Sequence, residues 1–310
     1  MQSEKNLGNW IQTFDFGHLL PFLARLPLPI GEGLARCRGL VQAIFDYEWR
    51  SMALGQRYIR SRTREAMNIM LPNTGNLKRI RATAARFIHN SREEWQSCLF
   101  RHKIMSAISG RSTVERLDEL TAIQKQGRGM VLVSCHLDSF CMGIVLMGMR
   151  GLRLNAVSTA MIEDLRIHPA VRAFFQNKYR TMETLMSGGI RNCETDMPFF
   201  YKALEQGEIV ILMGDIPGSK SDIHISFCGR SFRMPLGAWH MAVKTKSLLG
   251  AYVCIRESLG TYRVVCLPPF EPDPEDALKS MKPLYSFLET WILKYPQRWV
   301  AADLLPAYGN

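Results

Sequence analysis

The chain of 310 residues is 47% hydrophobic and 22% charged, a balance that supports a packed globular core and excludes disordered, collagenous and coiled-coil chains. Its formal net charge of +11 is unevenly placed, because residues 1–110 hold 16 Lys plus Arg against 8 Asp plus Glu. That excess suits an anionic partner such as nucleic acid, an anionic membrane surface or an acidic carrier protein, and suits a plain solvated face equally well.

At the start of the chain, the apolar stretch from Phe16 to Ile30 is interrupted by His18, Pro21, Arg25, Pro27 and Pro29, so no membrane-spanning helix is expected. Met1-Gln-Ser-Glu-Lys-Asn6 lacks the basic segment and apolar core of a signal peptide. The expected location is therefore cytoplasmic, with a peripheral seat on the inner face of the cell membrane as its extension. Prolines 21, 27 and 29 break residues 14–44 into short pieces, in which Leu19, Leu20, Phe22, Leu23 and Leu26 supply an apolar side for a membrane interface or for the domain's own core. Residues 46–70 and 77–100 read as two helices separated by the turn Pro72-Asn-Thr-Gly75.

The second part changes character. Val114, Leu117, Leu120 and Ile123 recur at helical spacing, Gly127 stops the helix, and Met130-Val-Leu-Val-Ser134 reads as a buried strand. Further strands are expected at residues 155–159, 209–213, 223–228, 248–255 and 262–267, separated by helical patterns at 142–149, 169–179, 196–205 and 236–246. A last helix is expected over 274–295. Gly260 turns the final two strands into an antiparallel hairpin. This alternation predicts an α/β fold, an αβα sandwich with a mixed, largely parallel central sheet and an N-terminal helical segment. Residues 1–310 read as one domain, in which a basic helical segment (1–110) accompanies an α/β core (111–310) that carries the site. No Gly-rich phosphate loop is present.

Chemistry concentrates in Val131-Leu-Val-Ser-Cys-His136-Leu-Asp-Ser-Phe-Cys141, a buried strand ending in His136 and turning into an apolar helix. Ligands bind beyond the carboxyl ends of strands in open α/β sheets, and an imidazole there can take a proton from an attacking hydroxyl or amine. Cys135 should point to the opposite face, and Ser139 reads as the cap of the following helix. The eight cysteines, Cys37, Cys98, Cys135, Cys141, Cys193, Cys228, Cys254 and Cys266, include no C-x-x-C pair. They read as reduced thiols, and no metal site is expected.

The order of features resembles the lysophospholipid acyltransferase superfamily, and within it the late acyltransferases of lipid A biosynthesis, of the lauroyl and myristoyl transferase type. The likeness runs from about Leu26 to the C-terminus. It rests on the strand leading into His136, on Gly207-Glu-Ile-Val-Ile-Leu-Met-Gly-Asp215-Ile-Pro-Gly218, on Ile225-Ser-Phe-Cys-Gly229-Arg230 with Met234-Pro235-Leu-Gly237, and on the closing Pro296-Gln-Arg-Trp299. The resemblance implies that His136 is a general base, deprotonating an acceptor hydroxyl or amine for attack on an acyl thioester. The donor would be an acyl carrier protein or coenzyme A thioester, with no resident cofactor and no nucleic acid partner.

In the family an acid five residues after the histidine orients it, whereas position 141 here is cysteine. Three readings stand open. Asp138 supplies the missing acid, if the backbone stays extended through it; Cys141 is a nucleophile activated by His136; or the pair is damaged, leaving slow catalysis by proximity or an acyl-binding scaffold. Asp215, Gly218, Arg230 and Pro235 are the candidate substrate-binding residues, with Asp215 expected on a strand neighbouring that of His136. The loss of the family's acid and of a spanning anchor favours an acceptor other than lipid A, in lipid or specialised-metabolite biosynthesis. A binder of anionic surfaces or nucleic acid is the remaining alternative.

Overall fold

The computed structural model describes residues 2–218 and 223–309. Seven helices precede the first strand in it: α1 (Gln2–Phe14), α2 (Leu20–Leu23), α3 (Leu28–Phe45), α4 (Trp49–Leu54), α5 (Ile59–Met70), α6 (Asn76–Leu99) and α7 (Ile104–Arg111), with a π-turn over Asp15–Leu19. Strand and helix then alternate through β1 (Thr113–Val114), α8 (Leu117–Lys125), β2 (Met130–Ser134), α9 (Phe140–Met149), β3 (Leu154–Ser158), α10 (Pro169–Met186), β4 (Ile190–Asn192), α11 (Met197–Glu205) and β5 (Ile209–Met213). The hairpin β6 (His224–Phe227) and β7 (Arg230–Arg233), helix α12 (Gly237–Thr245), the long pair β8 (Leu248–Ser258) and β9 (Thr261–Phe270), and α13 (Ala277–Lys294) follow, with 3₁₀ turns at Pro296–Arg298 and Val300–Ala307.

The central sheet has seven strands in the order β1-β9-β8-β2-β5-β3-β4, and β6–β7 stands apart. Every pairing in the central sheet is parallel except β8 with β9, which are joined at Gly260 in the left-handed region (φ +67°). Central strands buried on both faces need not alternate apolar and polar residues, and β2 is buried at every position. Its side chains divide by parity: Met130 and Leu132 enter one hydrophobic cluster with α9, α10 and α6, while Val131 and Val133 enter the other with α11, α12 and α13. This is the predicted sandwich.

Several local expectations are corrected. The helix expected over 46–70 is two, because Gly55 takes a left-handed conformation (φ +64°) and ends α4. The short, charged β4 and β7, β1 and the helix α7 escaped prediction, since elements of two to eight residues carry too little periodicity. Leu20 and Leu23, expected on a single apolar side with Phe22, are buried in the core, whereas Phe22 is exposed. The stretch thus divides between core and surface.

Candidate active site

The site forms where two neighbouring parallel strands end. β2 and β5 run in register with Ser134 opposite Met213, and the Gly214 N–H donates to the Ser134 carbonyl at 2.7 Å, so the residues two places beyond each strand, His136 and Asp215, are brought together. The Leu137 N–H donates to the Cys135 carbonyl at 2.7 Å, closing a tight turn centred on His136. That turn holds the imidazole at the carboxyl edge of the sheet, where it remains 28% exposed.

Asp215 grips His136 twice, accepting from the backbone N–H at Oδ2 (2.8 Å) and from the ring Nδ1 at Oδ1 (2.8 Å). The same Oδ2 accepts from the Trp299 indole N–H at 2.7 Å. A carboxylate can only accept, so the Nδ1 proton faces Asp215 and the lone pair of the neutral imidazole lies on Nε2. Asp215 is fully buried. Burial alone would raise its carboxyl, but the charge of the imidazole and the hydrogen bonds from His136 and Trp299 outweigh burial and hold it below its ordinary value. A buried carboxylate fixed in this way orients an imidazole and stabilises the imidazolium.

The acid that touches His136 is therefore Asp215 and not Asp138. Asp138 adopts a left-handed conformation (φ +52°), which ends the extended run that its expected role needed. Its carboxylate instead accepts from Arg298 Nη1 at 2.7 Å and from the Arg256 N–H at 3.0 Å. Asp215, expected among the substrate-binding residues, is itself buried against His136, Trp299 and Tyr308. Ser139 occupies the start of α9 without capping it, since its hydroxyl donates to Asp138 at 3.2 Å. Cys141 is buried, and burial pushes its thiol up to about 12 even with the Lys178 ammonium beside it. Its polar neighbours are Lys178 and Glu93, a buried ion pair at 2.8 Å, whereas the imidazole is turned to Asp215.

A cavity of ≈ 250 Å³ opens beside His136. Trp49, Phe140, Phe175 and Leu304 supply apolar wall, and Arg50, Glu93 and Lys178 supply polar wall. Phe140 packs edge-on against the imidazole with ring centroids 4.9 Å apart, and the Lys178 ammonium lies 5.4 Å from the centre of the same ring. Gly218, Arg230 and Pro235 are not among the described residues lining this cavity. Gly218 donates to the Arg233 carbonyl at 3.0 Å and backs onto Pro235, whose Cα lies 3.1 Å from where a Cβ would stand. Arg230 opens β7 opposite Phe227.

The end of the chain clamps the site. The Val300 N–H donates to the His136 carbonyl at 2.8 Å and the Asp138 N–H to the Arg298 carbonyl at 2.9 Å, while the Tyr308 hydroxyl donates to the Asp215 carbonyl at 2.5 Å. Sequence reasoning read Trp299 only as part of the closing Pro-x-x-Trp and did not mark Glu93, Lys178 or Tyr308; none of them stands near His136 along the chain. All eight cysteines are free thiols. Among the described residues no three His, Cys, Asp or Glu side chains converge closely enough to hold a metal ion.

No curated protein matches the chain. The bacterial lipid A biosynthesis acyltransferase family matches residues 57–301, from α5 through the closing Trp299 and across the whole sheet. The stretch includes His136, Asp215 and the indole that binds Asp215, and a match over well more than half of its length establishes that this chain belongs to the bacterial lipid A biosynthesis acyltransferase family.

Proposed function

We propose that the protein transfers an acyl group from an acyl carrier protein or coenzyme A thioester to a hydroxyl or amine, with His136 as general base and Asp215 as the carboxylate that positions it. The observation that carries this reading is the His136–Asp215 pair, bonded at 2.8 Å and set beside a cavity at the strand ends. The unprotonated Nε2 accepts the acceptor's proton as its oxygen or nitrogen attacks the thioester carbonyl. When the tetrahedral intermediate collapses, the carbon–sulfur bond breaks and the imidazolium returns the proton to the departing thiolate. The products are the acylated acceptor and a free thiol. Asp215 stabilises the imidazolium between these two events.

This arrangement offers an answer to the cysteine at position 141: the orienting acid comes from the end of β5 instead of from α9. Acceptors other than lipid A remain the favoured class, in lipid or specialised-metabolite biosynthesis, because the acid-to-cysteine change alters the wall beside the imidazole.

The test is turnover of a panel of acyl thioesters with hydroxyl and amine acceptors, following free thiol and the mass of the acylated product. His136→Ala is expected to lower kcat/KM by roughly 10³-fold and Asp215→Asn by roughly 10²-fold, at unchanged melting temperature for His136→Ala. Turnover that survives in His136→Ala would overturn the general-base role. Wild-type protein that binds thioesters without consuming them would move the reading to an acyl-binding scaffold.

A further inference from the structure

The largely aromatic and aliphatic wall of the cavity beside His136 is interrupted by an ion pair. The Lys178 ammonium and the Glu93 carboxylate, 4% and 8% exposed, meet there at 2.8 Å. Taking two charges out of water costs more than their attraction returns unless further hydrogen bonds complete them, and these two are incomplete. An ammonium has three N–H donors. Among the described residues Glu93 accepts one of them, and the Cys141 thiol beside Lys178 is a weak acceptor. On Glu93 the hydrogen bonds from Lys178 and the Ser97 hydroxyl both fall on Oε1, which leaves Oε2 only that weak thiol among the described residues. The other ions of the wall are satisfied within the protein: Glu48 and Asp303 take the Arg50 fork, and Arg38 and Asn90 bind Glu94.

Three helices build this part of the wall: α6 brings Glu93, α10 brings Lys178, and the start of α9 brings Phe140 and Cys141. One ring touches both functional groups, because Phe140 packs 4.9 Å from the imidazole and the Lys178 ammonium lies 5.4 Å from its centre. An acyl group whose carbonyl carbon sits at His136 therefore runs along aromatic wall to the ion pair. Lys178 also lines a second cavity, of ≈ 330 Å³, with Phe16 and Phe174, so its side chain divides the two spaces. The space on the His136 side, ≈ 250 Å³, is smaller than the roughly 300–1,000 Å³ of sites that enclose a drug-sized ligand.

We infer that the Lys178–Glu93 pair selects the acyl group of the donor, a short chain carrying a hydroxyl that accepts from Lys178 and donates to Glu93. The inference rests on the acyl-transfer reading and names its donor class. The pair is neutral as a whole, so a carboxylate or an ammonium on the substrate would meet its own sign on one partner, whereas a hydroxyl is donor and acceptor at once. A long saturated chain would displace water from both ions and return no hydrogen bond to either.

Isothermal titration of the full chain with S-acyl pantetheines tests it, in the His136→Ala background so that the thioesters stay intact. The ligands are hexanoyl, hexanoyl hydroxylated at the third or at the last carbon, and dodecanoyl thioesters. One hydroxylated hexanoyl thioester is expected to bind roughly 10²-fold more tightly than hexanoyl, with dodecanoyl weakest. Lys178→Met/Glu93→Leu in the same background removes both charges together and leaves no ion unpaired. It is expected to erase the hydroxyl preference and to bring dodecanoyl to at least the affinity of hexanoyl, since the division between the two cavities becomes apolar. Equal binding of hexanoyl and both hydroxylated forms overturns the inference, as does tightest binding of dodecanoyl, and the acyl-transfer reading survives either result. A hydroxyl preference that persists in the double variant also overturns it. Binding of no thioester would overturn the inference and the acyl-transfer reading together. The comparison among thioesters decides the matter whether or not the double variant folds.

Discussion

Asp215 has one oxygen bonded to the ring of His136 and the other shared between the His136 backbone and Trp299, so the indole holds the carboxylate and the carboxylate holds the imidazole. Trp299→Phe keeps an aromatic ring in the core and removes a single donor. A hydrogen bond to a charged group contributes about 1.5–3 kcal/mol, so kcat is expected to fall roughly tenfold with little change in KM. An unchanged kcat in Trp299→Phe would make Trp299 packing alone. Cys141 leads to the opposite expectation. A buried thiol whose proton is held up to about 12 is a poor nucleophile near neutrality. Intact-mass spectra after incubation with acyl thioester and no acceptor should show no acyl adduct, and Cys141→Ser should keep turnover within about threefold. A hydroxylamine-labile adduct lost in that variant would restore covalent catalysis through Cys141.

At the scale of elements, α6 shows why charge patterning misleads. Its last ten residues, Asn90-Ser-Arg-Glu-Glu-Trp-Gln-Ser-Cys-Leu99, are all buried although most are polar. Read along the sequence they resemble a solvated surface, yet Glu93 meets Lys178, Glu94 meets Arg38 and Arg92 meets Glu32. The partners come from α10 and α3, so no local pattern announces them. The closeness of α3 and α6 depends on Gly39, where a Cβ would stand 2.5 Å from the Ile88 Cα and 2.9 Å from the Phe87 carbonyl oxygen. Because those are backbone atoms, a larger residue must push the helices apart. Gly39→Val is expected to destabilise the protein by on the order of 2 kcal/mol in urea unfolding, and unchanged stability would show that the helices can separate freely.

Across the whole molecule, a charge network joins the N-terminal helices to the chain end that clamps the site. Arg86, fully buried, binds Glu48, the Val300 carbonyl and Asp303, and Arg50 binds Glu48 at 2.5 Å and Asp303 at 3.1 Å. Burial would raise the Glu48 carboxyl, but Arg50 and Arg86 outweigh it and bring Glu48 from 4.5 to about 2. Between those values the unfolded chain binds the proton and the native chain does not. The stability that Glu48 contributes is therefore complete above about pH 4.5 and lost as pH falls toward 2. Asp215, also held below its ordinary value, acts in the same direction. Glu94 acts in the opposite sense: burial raises it to about 7 against the pull of Arg38, so its ionisation costs stability as pH rises from 4.5 toward 7. Thermal melts should show a falling Tm below about pH 4.5. Glu48→Gln should cost roughly 3 kcal/mol at pH 7, with the deficit shrinking as the pH is lowered; a pH-independent deficit would assign the effect to packing.

The bounds of β2 and β5, the hairpin at Gly260 and the α/β alternation were legible from the sequence by itself, because buried strands and tight turns are set by apolar runs and glycine over a few residues. The position of His136 at a strand's carboxyl end was legible for the same reason, as was the adjacency of the strand that ends before Asp215. Only the tertiary structure decided which acid serves the histidine. Asp215 lies 79 residues from His136 along the chain, and its choice over Asp138 turns on one left-handed residue and on the reach of Arg298. It also decided which face of α3 looks outward, because Glu32 and Arg38 can be buried only where partners from the π-turn after α1, from α6 and from β8 converge on them, and that convergence leaves Leu34, Val41 and Ile44 facing out.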